Sequence, residues 1–337
     1  MKAAVIEAVN QLVVREVPEP VMGDYDCLCE GLYGATCSGT DLHLQAAHPL
    51  FGVTFPSILG HESIGRVIEV GPKVRNFKVG DMVTRQINRP TPEMNCHWGG
   101  FAERGLVTDQ AAMAADGVVS GNTAFVHNVL PEDFDPAGAT MMITWRETFS
   151  YYSRLRVPVG AKVLIMGSGG NGLSYAAHAS NLMASTVAMA GSPAREQDAR
   201  NVGATDFLDY KTEDLVAEAR SRGLDQFDLI IDAIGKMGQL DRVLPLLKVG
   251  GTATIYGVDD YGKVTITPQQ VPGSFTFANP GYNEGETHDA VVKQMRRGLL
   301  KAEHFCDLEH IYPPADINAA FDAIRNRTAI KAVVKLS

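Results

Sequence analysis

Over the first hundred or so residues, apolar and polar positions alternate in short runs. "KAAVIEA" (2–8), "QLVVREV" (11–17), "SIGRVIEV" (63–70) and "DMVTRQI" (81–87) are β-branched stretches bounded by Gly, Pro or Asp, the mark of short strands. Helical periodicity is scarce there, so residues 1–110 predict an irregular β-rich unit.

From about Pro158 the rhythm changes. "AKVLIMG", "STVAMAG", "TDFLDY", "FDLIIDAIG", "GTATIYG" and "SFTF" are apolar strand candidates. Helix-like segments separate most of them: Pro193–Val202, Thr212–Arg222 and Gln239–Leu247. Continuous apolar strands alternating with helices predict a parallel sheet covered on both faces. The tail is mixed. Asp289–Ala302 reads as a helix, and "PADINAAFDAIRNR" as another, with Ile317, Ala320, Phe321 and Ile324 at helical spacing. "AIKAVVKL" is a last strand with no partner in the preceding sheet, so it should return to the first unit. The expected class is α/β: a β-rich domain of residues 1–145 and 278–337, and a doubly wound parallel-sheet domain of residues 146–277.

A length of 337 residues suits two domains. The net charge is −9 and no basic block occurs, which argues against nucleic acid or anionic membranes as partners. No stretch approaches about 18 uncharged apolar residues, so no membrane span is expected. The opening "MKAAVIEAVNQLVVREV" lacks the apolar core of a signal peptide. Five scattered cysteines (27, 29, 37, 96 and 306) imply neither a disulfide framework nor a zinc-finger pattern. They fit a reducing cytoplasm.

"VLIMGSGGNGL" carries the sharpest chemistry. Gly167, Gly169 and Gly172 form G-x-G-x-x-G, with Gly170 and Asn171 inside it, between an apolar strand and a helix-like segment. In that context the pattern binds a dinucleotide: glycines allow the tight turn and close approach, and the helix N-terminus faces the pyrophosphate. An acid ending the next strand would hold the ribose of NAD. None occurs from Thr186 to Arg195. Ser192 and Arg195 stand there instead, as partners for a 2′-phosphate. The expected cofactor is NADP(H).

Read in order, "GTDLH" (39–43), "LGHESIGRVIEVGPKVRNFKVGDMV" (59–83), "GGFAE" (99–103), "VLIMGSGGNGL" and "AIKAVV" (329–334) resemble the zinc-type alcohol dehydrogenase branch of the medium-chain dehydrogenase/reductase superfamily. The resemblance covers nearly the whole chain. It implies a GroES-like catalytic domain, an inserted Rossmann domain, an active site in the cleft between them, hydride transfer, and a homodimer or homotetramer. It also places Tyr210 of "GATDFLDY" near the 2′-phosphate, and Ile234, Val258 and Phe275 near the nicotinamide. Thr40 and His43 match the proton-relay hydroxyl and imidazole.

The zinc positions depart from the family. Catalytic zinc takes three protein ligands and keeps a fourth position open. Set against Gly39-Thr40-Asp41-x-His43, the first ligand position falls on Ser38, and Cys37 lies one residue earlier. A one-residue shift in an extended segment turns a side chain to the opposite face. His61 of "GHE" keeps the second position and Glu62 follows it. The third falls on Thr144 or Trp145, with Glu147 nearby. The expectation is a zinc-independent pocket in which Ser38, Thr40, His43 and His61 act by hydrogen bonding and proton transfer. The cluster of four cysteines for a structural zinc is absent.

Three activities follow. The first is NADP(H)-dependent interconversion of a small alcohol with a ketone or aldehyde. The second is reduction of a polarised C=C or C=N bond, where delocalised charge needs less electrophilic help. The third is a non-catalytic NADPH-binding protein. Residues 109–129, with Trp98, Trp145 and Tyr151, are candidates for shaping the substrate entrance.

Overall fold

The computed structural model describes residues 1–119 and 126–337. The central part of 109–129 therefore lies outside the described residues. The chain divides into two compact units. One comprises Met1–Arg146, Asn283–Val292 and Lys301–Ser337; the other comprises Glu147–Tyr282 and Lys293–Leu300.

In the first unit, Lys2–Ala8 pairs antiparallel with Gln11–Glu16 and joins a small sheet with Ser57–Ile58 and Asn95–Cys96. A second sheet runs in the order Cys306–Tyr312, Lys331–Lys335, Asp26–Ala35, Ser63–Val70, Met82–Thr84, with Arg104–Thr108 also paired to Asp26–Ala35. The strand Asp26–Ala35 was not legible in the pattern, because its acids and glycines break the β-branched signature. The run at 81–87 shortens to Met82–Thr84, since Arg85 takes a left-handed φ of 56°. The last strand joins this sheet antiparallel, Val333 opposite Ala35 and Val334 opposite Gly34. The helix Ile317–Arg325 buries Ile317, Ala320, Phe321 and Ile324 against Ala4, Ile6, Leu59 and Phe101.

The second unit is a parallel six-stranded sheet. Its order is Asp206–Asp209, Thr186–Gly191, Lys162–Met166, Phe227–Asp232, Leu247–Ile255, Thr276–Phe277. The strand order reverses between Lys162–Met166 and Phe227–Asp232, where ligands of such sheets bind. The helix Gly170–Asn181 follows the glycine loop. Gln239–Leu247 is not the expected helix; only the 3-10 turn Leu244–Leu246 forms. Gly238 adopts a φ of 77°, and Pro245 lacks the N–H that a helix interior uses. The segment Lys293–Leu300, placed by sequence with the tail, groups here, and Asn181 Nδ2 donates to Leu299 O and Gln294 Oε1 at 3.0 and 3.1 Å.

Candidate active site

The strand Asp26–Ala35 ends just before Cys37, and the chain then turns into the short helix Asp41–Gln45. That turn corrects the sequence register. Residues 38–40 form a turn rather than an extended segment, with Asp41 N bonded to Cys37 O at 3.0 Å. Strict alternation does not apply to a turn. Cys37 is buried and Ser38 is exposed, so Cys37 faces the pocket and Ser38 is not one of its donors.

His61 is buried opposite Cys37. Its Nδ1 lies 3.0 Å from Asp41 Oδ1, and Asp41 Oδ2 accepts from the Cys37 N–H at 2.9 Å. The ring bond leaves Nε2 on the other side, 3.5 Å from Glu62 Oε1. Glu62 is held twice more, by Thr144 Oγ1 at 2.6 Å and Lys331 Nζ at 2.5 Å. Thr144 thus reaches the pocket through Glu62, while Trp145 packs edge-on against Phe305, ring centroids 5.4 Å apart. Trp98 lies against His61 at 5.4 Å. Burial favours the neutral forms, yet the Lys331 ammonium and His61 outweigh it and hold Glu62 down to about 2. Burial lowers His61 too, and the Asp41 carboxylate outweighs it, leaving the imidazole well above its usual value. Lys331 is likewise raised by Glu62 against its own burial.

Cys37, His61 and Glu62 each offer a ligand atom, all within 4.8 Å of one another. The sequence pattern turned Cys37 away from this group and gave no role to Asp41 or Lys331, the partners of His61 and Glu62. Asp41 stands inside the Gly39–His43 motif, but its spacing does not show that it reaches His61. Lys331 lies 269 residues from Glu62 and has no local signal.

Thr40 precedes the helix and is half-buried. His43 Nδ1 lies 2.9 Å from Gly39 O. A carbonyl can only accept, so Nδ1 carries the hydrogen and Nε2 is the proton-accepting nitrogen. His48 packs edge-on to His43 at 4.7 Å between ring centroids.

The second unit builds the dinucleotide loop. Gly167 has a φ of 104°, and a side chain there would meet Ile234 Cγ1 at 2.7 Å. A Cβ at Gly172 would lie 2.0 Å from Gly167 O, so only glycine lets helix and strand approach. Gly169 caps the helix and faces open space, with Gly170 and Asn171 as the first residues of the helix. At the end of Thr186–Gly191, Ser192 N bonds Ser168 Oγ at 3.1 Å, and Tyr210 N bonds Gly191 O at 3.1 Å. Arg195 pairs with Asp198 at 3.0 Å, and Arg242 fixes the Tyr210 carbonyl at 2.8 Å. Ser192 and Tyr210 thus gather at one strand end, with Arg195 opening the next helical turn.

Ile234 and Val258 follow the strand ends on the same side as the glycine loop. Phe275 does not. It precedes Thr276, which pairs with Thr252, and it packs on the core that holds Leu244 and Leu247. It therefore sits toward the opposite end of the sheet, and the strand Thr276–Phe277 enters later than the sequence pattern suggested.

Comparison with known proteins agrees with this architecture. An "alcohol dehydrogenase GroES-like domain" matches residues 32–122 and a "zinc-binding dehydrogenase" domain matches residues 169–279. The L-threonine 3-dehydrogenase of Streptomyces coelicolor is 30% identical over 282 residues, 77% of each chain. The NADP-dependent isopropanol dehydrogenase of Clostridium beijerinckii is 28% identical over 284 residues, 80% of this chain and 79% of its own. The solved alcohol dehydrogenase TADH of Thermus sp. ATN1 has the same fold, with a TM-score of 0.82, 22% identity and 99% of both chains covered. A two-domain oxidoreductase that binds a nicotinamide cofactor is what fold and loop define. The chain belongs to the zinc-type alcohol dehydrogenase branch of the medium-chain dehydrogenase/reductase superfamily.

That family implies zinc, and the donors fit it. A thiol, an imidazole and a carboxylate are a set that zinc accepts. A metal-binding imidazole commonly gives its other N–H to a carboxylate, as His61 is placed to do with Asp41. The expectation of a metal-free pocket drew on Ser38 and on Thr144 or Trp145. The first ground falls with the position of Cys37.

Proposed function

We propose that the protein is an NADP(H)-dependent oxidoreductase interconverting a small alcohol with its ketone or aldehyde. The buried group of Cys37, His61 and Glu62 carries this reading, because it brings three ligand atoms within 4.8 Å of one another. Zinc bound by these three would supply Lewis-acid polarisation of a substrate oxygen. The chain's own residues do the rest. Asp41 fixes the tautomer and tilt of His61, while Lys331 and Thr144 orient Glu62. Trp98 shields one side of the imidazole. His43 exchanges a proton at Nε2, with its Nδ1–H steadied by Gly39, and Thr40 is the adjoining hydroxyl of the relay.

NADP(H) is favoured by the missing acid between Thr186 and Arg195 and by Ser192, Arg195 and Tyr210 near one strand end. A relative named as NADP-dependent adds support. Assembly as a homodimer or homotetramer, in a reducing cytoplasm, belongs to the same proposal.

One observation favours a second, metal-free reading, in which a C=C or C=N bond is reduced. Thr144 and Lys331 already engage Glu62, and the third family position is read as Thr144 or Trp145, both weak zinc ligands. Oxidation of NADPH and NADH against a panel of ketones, aldehydes, enones and imines separates the readings. Carbonyl turnover with NADPH is expected, and Arg195→Ala should lower the NADPH preference by about tenfold. A wild-type preference for NADH would refute the cofactor assignment. Turnover of enones or imines alone would favour the second reading, and no turnover of any member would favour a binding protein.

A further inference from the structure

We propose that Asp232 is a positioning residue that holds the backbone at the nicotinamide end of the dinucleotide site. This rests on the cofactor reading above. Asp232 is the last residue of Phe227–Asp232, with Met166 as its neighbour on one side and Ile255 on the other. Met166 leads directly into Gly167, so Asp232 stands where the strand order reverses.

The residue is fully buried, with 0% of its surface exposed. Its Oδ1 accepts from Ile234 N at 2.8 Å and from Gly235 N at 3.0 Å. Its carbonyl accepts from Tyr256 N at 2.8 Å and Gly257 N at 3.1 Å. One side chain and one peptide thus tie the loops that follow two neighbouring strands.

Those loops interlock. A Cβ on Gly235 would lie 2.1 Å from Gly257 O, and one on Gly257 would lie 2.0 Å from the Ile234 carbonyl carbon. Ile234 in turn closes against the turn at Gly167. A displacement of 234–235 therefore passes to 257–258, on the loop that follows the neighbouring strand.

The other carboxylate oxygen, Oδ2, is buried and has no hydrogen-bond partner among the described residues. Burying such an atom is costly, and native structures rarely do so without a reason. A small apolar residue would avoid that cost. It would also leave the Ile234 and Gly235 N–H groups without their acceptor, and the interlocked loops without their anchor.

The test compares wild type with Asp232→Ala, Asp232→Ser and Asp232→Asn in titrations against two ligands. NADPH carries the nicotinamide; 2′,5′-ADP carries only the adenosine half. Asp232→Ala should weaken NADPH by about tenfold or more, the scale of one or two lost buried hydrogen bonds. Affinity for 2′,5′-ADP should stay within about twofold. Asp232→Asn keeps an acceptor at Oδ1 and should retain most of the NADPH affinity. If the alanine chain does not fold, Asp232→Ser serves, because its hydroxyl is too short to reach both N–H groups. Equal losses for both ligands would overturn the proposal, since a general structural defect does not choose between halves of the cofactor. So would unchanged NADPH binding by the alanine and serine variants, or a loss in Asp232→Asn equal to that in Asp232→Ala. A wild type that binds neither ligand, but binds NADH and 5′-AMP, would refute the NADP reading alone. The same four proteins titrated with that second pair then test Asp232.

Discussion

Asp41 grips the ring of His61 through Oδ1, 3.0 Å from Nδ1. Its other oxygen accepts the Cys37 N–H at 2.9 Å. One carboxylate therefore sets the imidazole and the turn that aims the thiol. Carboxylates behind metal-binding histidines commonly govern affinity about 10–100-fold. Asp41→Ala is predicted to weaken zinc binding by about that range. Competition with a chromophoric chelator measures it, and an unchanged affinity would remove Asp41 from the pocket's design.

Lys331 and Glu62 form an ion pair with 2% and 1% of their side chains exposed. Removing one partner of a buried pair typically costs about 3–5 kcal/mol, because the other charge is left uncompensated. Lys331→Met should show a loss of that order in urea unfolding. The double variant Glu62→Gln/Lys331→Met should recover most of it. Glu62 is held down to about 2, so its contribution is complete above the ordinary carboxylate range and disappears only as the pH falls toward 2. Without Lys331 the buried Glu62 carboxylate is neutralised more readily as the pH falls, so the variant's deficit should be larger at pH 7 than at pH 5.

His127 and His288 are buried. His288 Nε2 lies 3.1 Å from Val129 O. Burial, aided by the nearby arginines, pushes both down to about 4. An unfolded histidine binds its proton near 6.5. The unfolded chain therefore takes up protons first as the pH drops, and stability falls between about pH 6.5 and 4. Each histidine contributes on the order of 3 kcal/mol to that loss. His127→Phe and His288→Phe should flatten the decline in urea midpoint over this range, and an unaltered slope would contradict the assignment.

The parallel sheet and the glycine loop were legible from sequence, because buried strands are continuous apolar runs and the loop needs glycine at fixed places. The metal-like pocket was only half legible. His61 and Glu62 are adjacent in "GHE", but the side from which Cys37 enters depends on a turn at 38–40 that alternation cannot describe. Lys331 reaches Glu62 from the far end of the chain, and such a pairing has no local pattern. Phe275 was misplaced because the edge strand Thr276–Phe277 is only two residues long and pairs midway along its neighbour. The helix expected at Gln239–Leu247 had the right apolar spacing but carried Pro245 in its interior.

The central claim is that Cys37, rather than Ser38, completes a donor set with His61 and Glu62. Elemental analysis of the purified wild type, Cys37→Ser and Ser38→Ala tests it most directly. The predicted result is about one zinc per chain in wild type and Ser38→Ala, and almost none in Cys37→Ser. A metal-free wild type with full carbonyl-reducing activity would contradict the account, as would zinc retained by Cys37→Ser and lost from Ser38→Ala.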